Sequence, residues 1–228
     1  MRIGLIIYGA LNTVSGGYLY DRKLVEYLQA SGDQVQIFSL PWRNYSRHLL
    51  DNLNRSLIGR VQENHLDLLL EDELNHPSLL TLNRALKQRF PRLPIVSIVH
   101  HLRSSENHPP AWRPLYRWIE RRYLHSVDGF VYNSHTTART VEQITNRGSA
   151  TQPSIVAYPA ADHLNPPGAH FIKQHVNDRY DGPLRVLFVG NLIERKGLHR
   201  VVDALSRLSR TSWRLTVVGS CRCRSCVR

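Results

Sequence analysis

The sequence predicts an α/β fold: a parallel sheet with helices on both faces, followed by the opening β-α-β unit of a second sheet. Three observations predict it. Compact apolar runs such as "RIGLIIYG" and "LDLLL" read as buried strands. They alternate with longer stretches whose apolar residues recur every three or four positions, the pattern of strands joined by helical crossovers. The alternation breaks once, over 159–183, where prolines and glycines replace periodicity, and then starts afresh, as at a domain boundary.

The elements follow in order. Arg2–Gly9 is the first strand, and "ALNTVSGG" after it is a polar, Gly-bearing turn. Leu19, Leu24, Tyr27 and Leu28 lie at helical spacing, with Gly32 as the stop. "DQVQIFSL" alternates only loosely and is the second strand; a helix is expected from His48 to Val61. "LDLLLEDE" is another buried strand, and "SLLTLNRALKQRF" an amphipathic helix closed by Pro91. "PIVSIVHHL" is a strand ending in two histidines, and Ala111–Val127 a helix mixing aromatics with arginines. "DGFVYNS", "TTARTVEQI" and "PSIVAYP" read strand, helix, strand. The stretch 159–183 reads as a linker with a short helix near Phe171–Val176. "LRVLFVGN", "KGLHRVVDALSRL" and "SWRLTVVGS" form the final β-α-β unit, with Leu198, Val201, Val202, Leu205 and Leu208 on one helix face. The expected organisation is a first domain over 1–158, the linker, a second domain opening over 184–220, and an atypical Cys/Arg tail over 221–228.

Composition narrows the class. Of the 228 residues 42% are hydrophobic, enough for a core, and the formal charge is +12. Such a balance favours anionic partners. Without a basic block or an RNA-binding signature, nucleic acid is not expected among them. The three cysteines, Cys221, Cys223 and Cys226, all fall in the tail. The body of the fold therefore has no disulfide framework, which suits a reducing compartment. The N-terminus lacks a cleavage pattern, and no apolar run approaches the length of a spanning helix. These features lead to the expectation of a cytoplasmic protein, peripheral to a membrane at most.

In open parallel sheets ligands bind outside the carboxyl ends of the strands, so chemistry is sought in the turns that follow them. "NTVSGG" carries Gly16 and Gly17 before a helix N-terminus. Two bare glycines let backbone N–H groups approach an anion, while a plain turn capped by Ser15 is the structural alternative. His100 and His101 end a buried strand. Either could act in acid–base chemistry, with a satisfied structural histidine as the alternative for each, but neighbours on a strand point to opposite faces, so one at most faces a given ligand. The same geometry, and the lack of an i,i+4 partner, speak against a metal site. The helix over 111–127 has the residues of a membrane-surface helix and equally those of a core helix with solvated arginines. In "VGNLIERKG", Arg195 and Lys196 precede a helix N-terminus, where cations are unfavourable unless an anion lies opposite. That conflict argues for a phosphate-bearing ligand, while Glu194 offsetting the two cations and solvent screening the rest is the structural alternative.

Four stretches together resemble the group-1 retaining glycosyltransferases of the GT-B fold, which has two Rossmann-like domains. They are the Gly-Gly turn after the first strand, the histidine at the end of "PIVSIVH", "DGFVYNS", and "VLFVGNLIERKGLHRVVDAL". The resemblance runs over nearly all of 1–220, and its last stretch is its most specific. It implies a nucleotide-sugar donor as substrate, an acceptor of glycan or lipid-linked type, and neither cofactor nor metal. Gly16 and Gly17 would lie near the donor diphosphate, His100 would act at the reacting centre, and Lys196 would bind the diphosphate. Asn191 stands where the family often has Arg, and nearby Arg195 would compensate. The resemblance also implies further strands and a pair of glutamates after Ser220, where this sequence reads "CRCRSCVR". The expectation is a transferase cut short, with a well-packed first domain and a poorly packed second unit; the alternative is a catalytically inactive Rossmann-like module that binds an anionic acceptor or a membrane surface.

Overall fold

A computed structural model describes residues 1–106, 108–146, 152–160 and 182–220. The chain divides into two compact units, Met1–Ala160 and Ala161–Arg228. The expected helix near Phe171–Val176 and the Cys/Arg tail lie outside the described residues.

The first unit is built on a six-stranded sheet. Its strands are β1 (Arg2–Tyr8), β2 (Gln34–Leu40), β3 (Leu68–Asp72), β4 (Ile95–Val99), β5 (Gly129–Tyr132) and β6 (Ser154–Val156). All neighbours pair parallel, in the order β2-β1-β3-β4-β5-β6. The order reverses between β1 and β3, and that switch point opens a crevice at the strands' carboxyl ends. β1 is buried on both sides. Ile3, Leu5 and Ile7 join Leu70 and Ile98 under α1 (Gly16–Ala30), while Ile6 joins Phe38, Leu69 and Val99 on the other face. That second face is covered by Leu57 and Val61 of α3 (Ser56–Asn64), Leu82 and Leu86 of α5 (Leu82–Arg89), Tyr123 and Leu124 of α6 (Arg113–Leu124), and Val141 and Ile144 of α7 (His135–Thr145).

Two expected helices are broken, and one side chain links both breaks. In place of a helix over 48–61 the chain forms α2 (Tyr45–Leu50), a 3-10 turn over Asp51–Leu53, and α3. In place of one over 78–90 it forms α4 (His76–Leu79) and α5. Asn52 donates to the carbonyls of Leu49 and Pro77 and accepts from the Thr81 N–H at 2.7 Å. Its amide thus takes backbone groups that would otherwise propagate the helices. The buried stripe of α1 also differs from the expected one. It is Tyr18, Asp21 and Val25, with Leu24 and Leu28 partly buried and Tyr27 exposed. The Tyr18 hydroxyl donates to the carbonyl of Tyr8 and sets this rotation.

The second unit pairs β7 (Leu184–Val189) with β8 (Trp213–Val218) in parallel, joined through a 3-10 turn (Glu194–Lys196) and α8 (Leu198–Ser206). Among its described residues Leu205 is the one buried apolar side chain, and Leu187, Val189, Val202 and Val218 are exposed. The strand ends approach closely: a Cβ on Gly219 would lie 1.9 Å from the carbonyl oxygen of Gly190, so only glycine fits there.

Candidate functional site

The site in the first unit forms where α1 begins. Ser15 caps α1 by accepting from the Tyr18 N–H, so the structural reading of that serine holds. Gly16 meets nothing within 4 Å, whereas a Cβ on Gly17 would lie 3.3 Å from His100 Cδ2. The His100 ring lies against this turn closely enough that a side chain at Gly17 would press on it. His100 and His101 diverge: His100 faces α1, while His101 Nε2 lies 3.7 Å from Glu106.

Residues the sequence reading did not single out complete the site. His100 Nε2 is 2.9 Å from Oδ1 of Asp21, which is 0% exposed. Tyr20 packs edge-on against the imidazole, and Asn133 Nδ2 donates to the His100 carbonyl. Burial alone would lower the imidazole pKa, but the bond to Asp21 and its charge, with Asp72 and Glu73 adding to it, raise it above 6.5. Asp72, the last residue of β3, is pushed up to about 8 by burial and then by Asp21. Glu71 is pushed up to about 7 by burial, and Glu73 is well above the usual carboxylate range for the same reason. Two signals in the sequence point to these groups. Asp21 shares a helix face with Tyr18 and Val25, and "EDE" directly continues the apolar run of a central strand.

Two sets of side chains bring donor atoms within 4.8 Å of one another: Asp21, Asp72 and His100, and the fully buried Glu73, His76 and Glu120. These are atoms a divalent cation can use; hydrogen bonds already engage several of them, while Asp21 Oδ2 is buried without a partner. His100 Nε2 is held by Asp21. Burial lowers His76 to about 4, so its ring is neutral; Nδ1–H donates to the Glu73 carbonyl and Nε2 accepts from Tyr45. Glu120 accepts the Ser104 N–H through both oxygens. A cation would have to displace these bonds.

In the second unit, the Lys196 stem packs over the end of β7, its Cδ 3.8 Å from where a Gly190 Cβ would be. Lys196 lies in the 3-10 turn rather than at the helix start, separated from α8 by Gly197 in the left-handed region at φ 76. α8 has no side-chain cap, which leaves its first N–H groups available to an anion. Asn191 Oδ1 accepts from Ser220, and Arg195 is exposed beside Lys196. A depression of about 650 Å³ on this unit is lined by Leu192, Ile193, Leu198, Val202 and neighbours. It excludes Lys196 and Asn191, and we read it as the uncovered apolar side of α8 rather than as the anion site.

α6 resolves the ambiguity of its composition by serving two environments. Ile119, Glu120, Tyr123 and Leu124 are buried. Trp112 and Trp118 are 54% and 53% exposed, Leu115 is exposed, and Arg113, Arg117, Arg121 and Arg122 surround them. No helix among the described residues is long and apolar enough to cross a membrane.

A doubly wound parallel sheet with its crevice at the β1/β3 switch point, followed by a second β-α-β unit, defines the Rossmann-like class of the GT-B glycosyltransferases. Residues 19–151 match the model of Glycosyltransferase Family 4. That is more than half of the chain, and the chain belongs to this family. Among solved structures it is similar to the catalytic domain of starch synthase IV from Arabidopsis thaliana, bound to ADP and acarbose. The TM-score is 0.63 at 10% identity, over 98% of this chain and 69% of that one. It is also similar to Anabaena HepE in complex with UDP and glucose, with a TM-score of 0.52 at 17% identity, over 95% and 60%. At these identities the likeness is one of fold. A comparison with curated proteins gives no match.

Proposed function

We propose that this chain acts in retaining glycosyl transfer from a nucleotide-sugar donor, with the acceptor held by the first unit and the donor diphosphate by the second. One observation carries the reading: at the carboxyl edge of the sheet, Asp21 holds His100 against the bare turn at Gly17. His100 meets the donor sugar near its anomeric carbon, and Gly16 and Gly17 let backbone N–H groups approach the phosphates. In the reaction the bond from the anomeric carbon to the diphosphate breaks, and the acceptor hydroxyl oxygen bonds that carbon. The hydroxyl proton passes to the departing phosphate, whose charge Lys196 and Arg195 stabilise. Asn191 takes the place of a cationic phosphate contact and supplies a neutral one. The ADP and UDP in the two similar structures support a nucleotide-bearing donor.

The test is nucleotide binding. Calorimetry with UDP- and ADP-sugars is expected to show binding that Lys196→Ala weakens by about 10- to 100-fold, the range of one charge-assisted hydrogen bond. Equal affinities for the wild type and the variant would remove Lys196 from the site and the reading with it.

A membrane surface is a second partner, and the outer face of α6 favours it. Half-exposed tryptophans ringed by arginines are the groups that settle at an anionic headgroup layer. The chain is expected to co-sediment with phosphatidylglycerol vesicles but not with phosphatidylcholine vesicles. Trp118→Ser together with Arg121→Ser should reduce the bound fraction severalfold. Equal sedimentation with both lipids, or an unaffected double variant, would count against this assignment.

A further inference from the structure

We propose that Trp42 is a stacking platform for a pyranose ring of the acceptor, with Arg43 as the hydrogen-bonding group at its edge. This rests on the glycosyl-transfer reading above and specifies the chemical class of its acceptor.

Trp42 follows β2 and turns back over the loop that leaves β1. Gly9 sits there at φ +63, and a Cβ on it would lie 2.6 Å from Trp42 Cδ1 and Nε1. The indole therefore packs directly on bare backbone. Its neighbours are Tyr8 and Tyr18, at ring-centroid distances of 5.4 and 6.4 Å. Both tyrosines are buried, yet Trp42 itself is 54% exposed. A large apolar ring anchored on one side and open to water on the other is informative in a way that a scattered surface leucine is not.

The shelf beneath it is tied together by stacking and hydrogen bonds. Tyr8 stacks on His48 at 4.0 Å, and its hydroxyl donates to Ser78, which in turn donates to Asp51. His48 accepts the Arg43 N–H at Nε2 and faces Asp51 through Nδ1. Asp51 also binds the Arg43 guanidinium, whose side chain stays 43% exposed. A guanidinium has five N–H donors, and one of the two terminal nitrogens is committed to Asp51, so donors remain on the residue that directly follows Trp42.

The ligand class follows from this pairing. A pyranose offers a patch of C–H groups on a ring face and hydroxyls around its rim. An aromatic ring matches the first and a fixed fork of donors the second. The position agrees with the reaction centre: of the adjacent residues Gly17 and Tyr18 in the first turn of α1, one meets His100 and the other Trp42.

The experiment is a fluorescence titration of the full chain with α- and β-linked gluco-, manno- and galacto-configured trisaccharides, each with and without UDP. Subtracting the Trp42→Phe signal isolates the emission of Trp42 from that of the other three tryptophans. At least one trisaccharide is expected to perturb it, with affinity falling about tenfold in Trp42→Ala and partly retained in Trp42→Phe. Arg43→Ala gives a second reading should Trp42→Ala fail to fold. If no trisaccharide binds while UDP still does, the platform is overturned and the glycosyl-transfer reading stands. If UDP binding is also absent, the failure belongs to that reading. A response to phosphatidylglycerol vesicles alone would assign Trp42 to a lipid surface and overturn the carbohydrate assignment.

Discussion

Asp21→Asn is expected to lower the imidazole pKa of His100 from above 6.5 to below it. Burial pulls this pKa down, and the opposing pull comes first from the Asp21 bond and charge. Asparagine keeps the shape and a hydrogen-bonding oxygen but removes the charge. Asp72 replaces it only in part: burial, the first cause of its rise to about 8, persists in the variant and keeps favouring its protonated form, although the second cause, the Asp21 charge, is removed. Asp72→Asn is therefore expected to leave His100 above 6.5. The measurement is an NMR titration of the imidazole Cε1–H signals, with His100→Asn giving the assignment. An unchanged His100 pKa in Asp21→Asn would show that Asp21 does not hold the imidazolium. The consequence for function is specific. Under the proposed function, an imidazole fixed at Nε2 by Asp21 would keep a defined orientation at the crevice and, when protonated, would carry positive charge toward the donor phosphates.

The melting temperature of the first unit is expected to rise by several degrees as pH falls from 8.5 to 6. Glu71, Asp72 and Glu73 are all buried, and burial raises each: to about 7, to about 8, and well above the usual range. In the unfolded chain such groups titrate near 4. Raised native values mean that the folded state holds more protons between those limits, so stability present at low pH is lost as pH rises through 7 and 8. Asp72 alone accounts for about 2–3 kcal/mol over this interval, or roughly 5–10 °C at this chain length. His100, also raised, acts in the same direction. His76 acts oppositely: lowered to about 4, its neutral form contributes stability that fades as pH drops below 6.5. Differential scanning calorimetry of the wild type beside Asp72→Asn tests this. The variant should flatten the slope, and a wild-type melting temperature that is flat or rises toward pH 8.5 would refute the account.

How much of this was legible in advance depends on the range of the interactions. The alternation of strands and helices is local, and every described strand falls within a stretch expected to be one. The sequence reading also placed Gly17 and His100 in turns at strand ends, which are readable from apolar runs in a parallel sheet, and the structure brings the two together. It missed the breaks around Asn52, whose partners Pro77 and Thr81 lie 25 and 29 residues away. It missed Trp42 for the same reason, since a tryptophan after a strand reads as a loop residue until Gly9, Tyr8 and Tyr18 are seen beneath it.

The sequence by itself determined the fold class, the order of the strands and the positions of the strand-end turns, because hydrophobic periodicity and turn residues act over a few positions. The tertiary structure alone decided which charges meet. Asp21 is 79 residues from His100, and Asp72 comes from a third element. Their effects arise from burial and from distances of a few ångströms, and neither quantity exists until the sheet has assembled.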